Sequence, residues 1–245
     1  MTHSPTVAIV GGGPRGLSVL ERLVVRAGTR PLTIDLYDAS SPGSGRIWDP
    51  KQCPHLLMNT HSHEVTIFSG PPTDGPARAG AGPSLAQWVN TRPHLRSAYR
   101  GYESRATYGL YLEFALQAVI DNAPDTLHIR TIEATVTSTR TVGSRFVVTT
   151  DAGEQRWYDS VVLATGHPQP KAWHERPVHP ADATGRVIGG DSASELPLHV
   201  IESSDTVATL GMGLAFHDIV ALLTQGRGGS FTTGADGRLI YEPSG

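Results

Sequence analysis

The residues best placed to do chemistry in this chain are glycines. Val7-Ala8-Ile9-Val10 is an apolar, β-branched run that ends in Gly11-Gly12-Gly13-Pro14-Arg15-Gly16, a Gly-x-Gly-x-x-Gly series. Leu17, Leu20 and Leu23 then continue at helical spacing. A strand, a tight turn and a helix in that order form a dinucleotide fingerprint in its proper context. Gly11 allows the turn, Gly13 lets backbone approach a pyrophosphate, and Gly16 lets the helix lie close to the sheet. The first-turn N–H groups of that helix then face phosphate oxygens. The binding set read from this stretch is Gly11, Gly12, Gly13, Pro14, Arg15 and Gly16. A cation at a helix N-terminus is disfavoured by a few tenths to about 1 kcal/mol. Arg15 therefore fits beside bound phosphate, and a solvent-facing arginine is the equal alternative.

Other candidates depend on this first one. Asp38 ends the next strand-like run, Leu32 to Asp38, where a carboxylate would accept hydrogen bonds from ribose hydroxyls. An Asp opening a turn is the plainer reading. Ala164-Thr165-Gly166 closes another apolar run and offers Thr165 and Gly166 where backbone can approach a ligand. Gly211-Met212-Gly213-Leu214-Ala215-Phe216 repeats the first two glycines, so Gly211 and Gly213 could hold a nicotinamide dinucleotide. Phe216 replaces the third glycine and Asp218 follows, and a purely structural turn is the other reading. His61-Ser62-His63 would share a strand face, but no carboxylate and cysteine set completes a metal site, and none is expected. Ser160 and Ser192 lack the glycines of a nucleophile elbow, which leaves acyl transfer unsupported.

These groups need elements to position them. The pattern predicts helices over Pro14 to Ala27, from Ser84 to about Thr91, and from about Tyr108 to Asn122. Ser84 is a natural N-cap, and Leu112, Ala115, Leu116 and Val119 form an apolar stripe. Strands are expected at Leu127 to Ile132, Ala134 to Arg140 and Arg145 to Thr150, then a buried parallel strand over Tyr158 to Gly166. Gly70 to Pro83 reads as a surface loop and His167 to Pro180 as a linker. Val207 to Leu210 reads as a strand before a last helix reaching about Gln225. The fold class is therefore α/β: a Rossmann-like parallel sheet with a β-meander and an incomplete second dinucleotide-binding unit. Residues 1–170 form the first domain, with an excursion over 39–106; residues 171–245 hold the linker and the start of the second.

Composition sets the outer bounds. The chain has 245 residues, and 20 basic against 23 acidic side chains give a net charge of −3. No basic stripe points to nucleic acid, so the expected partner is a small-molecule substrate. The one cysteine, Cys53, excludes an internal disulfide. No apolar run reaches the roughly 20 residues of a membrane span, and no signal peptide is read, so the expectation is a cytoplasmic protein. Oligomeric state is not set by the sequence.

The same residues resemble a known family. Gly11 to Ser18, Gly45-Arg46-Ile47-Trp48, Leu57-Met58-Asn59-Thr60, Gly82-Pro83-Ser84-Leu85, Val162 to His167 and Leu210 to Leu214 are similar, in that order, to the bacterial FAD/NAD(P)-binding family. That family has a glutathione-reductase-like fold and is distantly similar to flavin N-hydroxylating monooxygenases. The resemblance implies FAD, with its pyrophosphate on Gly11 to Gly16, its ribose on Asp38 and its adenine facing the backbone of Val136. It implies that Trp48 and Asn59 lie near the isoalloxazine, with Asn59 the candidate catalytic residue. NAD(P)H is a further possible cofactor. The implied activity is that of an FAD-dependent oxidoreductase, an NAD(P)H-linked monooxygenase in the sharper form. The alternative is a dinucleotide-binding or regulatory module without turnover; a simple nicotinamide dehydrogenase is the weaker third. Relatives continue past the second motif, so the chain resembles an N-terminal fragment.

Overall fold

The computed structural model describes residues 4–73, 78–99, 101–166, 187–189 and 192–244. The chain forms two compact units, Met1–Lys51 with Met58–Gly166, and Gln52–Leu57 with His167–Gly245. The linker expected from His167 falls outside the described residues.

In the first unit, β1 (Thr6–Val10), α1 (Pro14–Ala27) and β2 (Leu32–Asp38) follow the bounds the pattern predicts. Glycine ends the first strand, proline starts the helix, Gly28 stops it, and Asp38 opens the next turn. After the excursion, which carries α2 (Leu85–Asn90) and α3 (Arg105–Asp121), comes β3 (Leu127–Glu133). An antiparallel group follows: β4 (Val136–Val142), β5 (Arg145–Thr150) and β6 (Gln155–Tyr158). The chain then returns through β7 (Ser160–Leu163) to make a parallel sheet in the order β3-β2-β1-β7.

Helices cover one face of the parallel sheet. Ile9, Ile34 and Leu36 meet Leu17, Leu20 and Val24 of α1 and the buried stripe Leu112, Ala115, Leu116 and Val119 of α3. Gly16 sets how closely α1 can lie: a Cβ there would fall 1.8 Å from the Gly11 carbonyl oxygen. The buried Glu21 ties the excursion to α1, accepting from the Ser69 N–H (2.9 Å) and hydroxyl (2.7 Å) on Oε1, with Arg22 paired to its other oxygen. Ser84 caps α2 with a reciprocal box to Gln87, and Ser104 caps α3, which starts three residues earlier than its apolar stripe suggests.

The antiparallel sheet covers the other face, where Ala8 and Tyr37 pack against Val148 and Tyr158. A polar group holds this layer. Asp35 is fully buried in β2, and Arg130 of β3 grips it with two 2.7 Å hydrogen bonds. Tyr158 donates to Asp35 Oδ2 at 2.5 Å, so the 2.6 Å contact between hydroxyls requires Tyr37 to donate to Tyr158. Burial, then the bonds to Asp35 and Tyr37, push the Tyr158 hydroxyl well above the ordinary tyrosine range. Burial also raises Tyr108 of α3, to about 12.

Two strand expectations need correction. β7 is parallel but not buried: among the described residues it pairs only with β1, and Leu163 is 63% exposed. The run predicted from Tyr158 divides at Asp159, because Tyr158 belongs to β6, a strand the pattern does not reveal. Val207–Leu210 forms no strand, and Val207 and Leu210 are exposed. A β-branched run needs a ladder partner before it becomes a strand. In the second unit the described elements are α4 (Leu214–Leu223) and the hairpin β8 (Ser230–Thr233) and β9 (Leu239–Glu242).

Gly16→Ala should destabilise the first unit by about 2–4 kcal/mol, because α1 must move off β1; an unchanged urea midpoint would refute this. Alkaline pH gives a second test. Tyr158 holds its proton more tightly folded than unfolded, so its contribution is complete below the unfolded tyrosine value near 10 and is lost as pH rises above it. Stability should fall progressively as pH rises past about 10, and less steeply in Tyr158→Phe. Equal slopes in urea titrations would contradict the assignment.

Candidate functional site

The glycine loop stands at the carboxyl ends of β1, β2 and β7, lined by backbone at Gly11, Gly13 and Gly16 and by the Asp38 side chain at Gly12. Gly11 has φ +105, and a Cβ on it would come within 2.4 Å of the Ala164 carbonyl oxygen. Its N–H donates to the Tyr37 carbonyl (2.8 Å), and Ala164 N–H donates to Val10 (2.7 Å). The loop after β2 closes the far side: Gly43 N–H donates to the Gly12 carbonyl (2.8 Å), and Gly45 lies against Gly13. Gly43 was readable only as a turn residue and Gly45 as a turn residue and the start of the Gly45-Arg46-Ile47-Trp48 motif; both have positive φ, and a Cβ on Gly45 would fall 2.9 Å from the Gly13 Cα.

This loop leads into α1 with its donors unclaimed by any capping side chain. Gly13 is the N-cap and supplies none, Pro14 follows, and the first turn holds no acidic residue. Arg15 is exposed beside it. A diphosphate needs backbone donors, positive potential and no Cβ in the way, and the nearest atom to a Cβ on Gly13 would be 3.9 Å off. The residues present fit that group.

Asp38 does both less and more than its ribose role suggests. Its Oδ2 accepts from Gly12 N–H (2.8 Å), and its Oδ1 accepts from Ser40 N–H (3.0 Å) and Ser41 N–H (3.1 Å). Asp38 therefore clasps the glycine loop to the loop that walls it, with acceptor capacity left on Oδ2. The spacing Asp38-Ala39-Ser40-Ser41 is the signal for this Asx-type turn. Ala134 N–H donates to the Asp38 carbonyl (2.9 Å), which brings the start of β4 and hence Val136 to the end of β2. A register shift between Val136 and Ser138 interrupts the ladder there.

Thr165 and Gly166 are exposed just beyond β7, and Gly166 has φ +77. Together with the glycine loop, Asp38 and Val136 they form one edge. Trp48 is half-buried, its ring edge-on to Tyr108 at 4.7 Å. Asn59 is exposed, next to Met58, whose N–H donates to the Glu103 carbonyl (2.9 Å). In the second unit Gly211 and Gly213 are exposed, Gly213 caps α4 without a side-chain bond, and Phe216 is half-buried. His61 precedes a 3-10 turn, Ser62–Glu64, that contains His63, so the two do not share a strand face. Among the described residues no helix is long and apolar enough to cross a membrane, and no group of three or more His, Cys, Asp or Glu gathers.

Comparison with known proteins sharpens the assignment. The chain is 38% identical over its whole length to a nitrosuccinic acid synthase of Aspergillus oryzae, and covers 39% of that protein. It is 34% identical, over 98% of its length, to a nitrosuccinate-forming L-aspartate N-monooxygenase of Streptomyces cremeus, covering 40% of it. The chain thus spans about two fifths of the length of the curated relatives it matches. Among solved structures it is similar to a flavin-containing monooxygenase from Stenotrophomonas maltophilia (22% identity, TM-score 0.42, 67% of this chain and 39% of that one). A family model for FAD-NAD(P)-binding proteins matches residues 8–168, from β1 through the Ala164-Thr165-Gly166 turn. The chain belongs to the FAD-NAD(P)-binding family.

Proposed function

We propose that this chain supplies the FAD-holding part of a flavin-dependent N-monooxygenase whose substrate is a small amino acid with a side-chain carboxylate. The observation that carries the reading is the close-packed glycine cradle at Gly11, Gly12, Gly13 and Gly16, bounded by Gly43 and Gly45 and lying within the family match. Relatives named for L-aspartate N-oxygenation and nitrosuccinate formation support the substrate class.

In this reading the N–H groups opening α1 hold the diphosphate, and Arg15 adds positive charge at its rim. The remaining capacity of Asp38 Oδ2 serves a ribose hydroxyl, and the backbone at Val136 bounds the adenine. Trp48 and Asn59 belong to the isoalloxazine end, where the Asn59 amide would orient by hydrogen bonding. Thr165 and Gly166 give the ligand room to cross the sheet edge. When bound, the flavin supplies hydride and oxygen chemistry that no side chain here can supply. The protein's share is to position it and exclude water.

A second reading has one specific support. Phe216 occupies the place of a third glycine beside the exposed Gly211 and Gly213, which suits a unit that binds FAD without accepting reducing equivalents from NAD(P)H. Stopped-flow mixing of the flavin-loaded protein with NADH or NADPH separates the two. Bleaching followed by nitrosuccinate formation from L-aspartate supports the monooxygenase; bound flavin that never bleaches supports the module.

FAD titration tests the cradle itself. Gly13→Val should weaken binding at least tenfold, and chain that takes up no FAD would sink both readings. Asp38→Asn should be nearly as damaging as Asp38→Ala, about 1–3 kcal/mol in stability with a parallel loss of affinity, because an amide NH2 cannot accept the backbone donors. A mild Asp38→Asn would mean that ribose contact, not the loop clasp, dominates at this position.

A further inference from the structure

Trp48 and Asn59 stand on separate loops, yet both are held from the start of α3 and the strap Gly101-Tyr102-Glu103 that leads into it. Tyr108 of α3 meets the Trp48 ring edge-on at 4.7 Å. Gly109 lies so near the Trp48 carbonyl oxygen that a Cβ there would collide with it. Ser104, the N-cap, accepts from Thr107 N–H (3.0 Å), and the Thr107 hydroxyl donates to the Leu95 carbonyl (3.1 Å). The start of the helix is thus a fixed point.

The strap grips the Asn59 loop at two places. Met58 N–H donates to the Glu103 carbonyl (2.9 Å) and Ser62 N–H to the Gly101 carbonyl (2.7 Å). Asn59 and Thr60 are exposed between these bonds. His61 packs its ring over Gly101 and against Tyr102 at 5.3 Å, which closes the loop from its far end. The Glu103 side chain secures the strap itself. It is 4% exposed, and its Oε2 accepts from Ser97 N–H (2.8 Å). Burying a carboxylate is costly unless it is hydrogen-bonded, so the Ser97 bond and the seating of the strap form or fail together.

We infer that Glu103 is the positioning residue for Asn59. Its carboxylate seats the strap, the strap fixes both ends of the Asn59 loop, and the amide is presented in one orientation to the isoalloxazine end of the site. The inference rests on the reading of Asn59 as the hydrogen-bonding residue at that end. Glu103 serves as an acceptor and not as a charge, so an amide oxygen can replace it. In the sequence it is one acidic residue among Arg96, Arg100 and Arg105, and its partner is a backbone N–H that no pattern marks.

The test uses the intact chain loaded with FAD, read by visible circular dichroism of the bound flavin. Asn59→Ala should lower the signal by about half or more, Glu103→Leu by a similar factor, and Glu103→Gln should keep it. Glu103→Leu fills the buried volume without an acceptor, and FAD affinity should move less than about threefold because the diphosphate cradle is untouched. Added to Asn59→Ala, it should change nothing further, whereas a general loosening of the fold would add its own effect and refute a role through Asn59. A wild-type signal in Asn59→Ala would overturn the reading of Asn59 and this inference with it. A changed Asn59→Ala beside an unchanged Glu103→Leu would overturn the inference alone, as would loss of the signal in Glu103→Gln. Amide exchange in the unsubstituted chain needs neither variant nor flavin. Met58 and Ser62 N–H should exchange about tenfold or more slower than Asn59 and Thr60, and equal rates would contradict the grip.

Discussion

The contact between the Gly16 Cα and the Gly11 carbonyl is the constraint on which the rest of the first unit depends. It is a close approach permitted by an absent atom, rather than a bond. With α1 this near to β1, the helix N-terminus opens at the sheet edge and its first donors point at one place. Gly11 against Ala164 and Gly13 against Gly45 extend the same logic sideways, so three chain segments meet as bare backbone. Backbone dipoles fixed in this way need no reorganisation when an anion arrives.

The layers behind that edge are secured by unlike means. Helices grip their face through apolar packing, whereas the antiparallel sheet is fastened by Asp35 and its partners. A carboxylate buried without them would be prohibitive, and with Arg130, Tyr158 and Tyr37 in place both Asp35 oxygens and both hydroxyls are hydrogen-bonded. This group lies under β2, the strand that carries Asp38 to the cradle. Asp38 then joins two loops that would otherwise be separate, which makes the cradle one object instead of a loop beside a loop.

Much of this was legible in the sequence where a single residue dictates local geometry. Gly11, Pro14, Gly28 and Asp38 mark their elements without help from distant parts of the chain. The stripe on α3 was equally plain. What escaped depends on partners far away. Asp35 reads as a flaw in an apolar strand until residues 95 and 123 positions downstream are brought to it. β6 is the short polar run Gln-Arg-Trp-Tyr and becomes a strand only by pairing with β5. Val207–Leu210 shows the opposite error: strand composition is present, and a ladder partner is not. At the site, the phosphate loop could be read, while the walls made by Gly43 and Gly45 could not, because their role is set by what lies across from them.

The two units are not consecutive pieces of chain. Gln52–Leu57 belongs to the second unit although the first unit flanks it on both sides. The polypeptide therefore changes unit at three points, after Lys51, after Leu57 and after Gly166. No single cut can separate the two: cleavage after Gly166 would leave the second unit short of one of its own segments, still attached to the first. During synthesis that early segment must wait, unpaired with its own unit, until the ribosome has passed Gly166. Any attempt to express either unit alone has to graft or replace six residues, not merely choose an end.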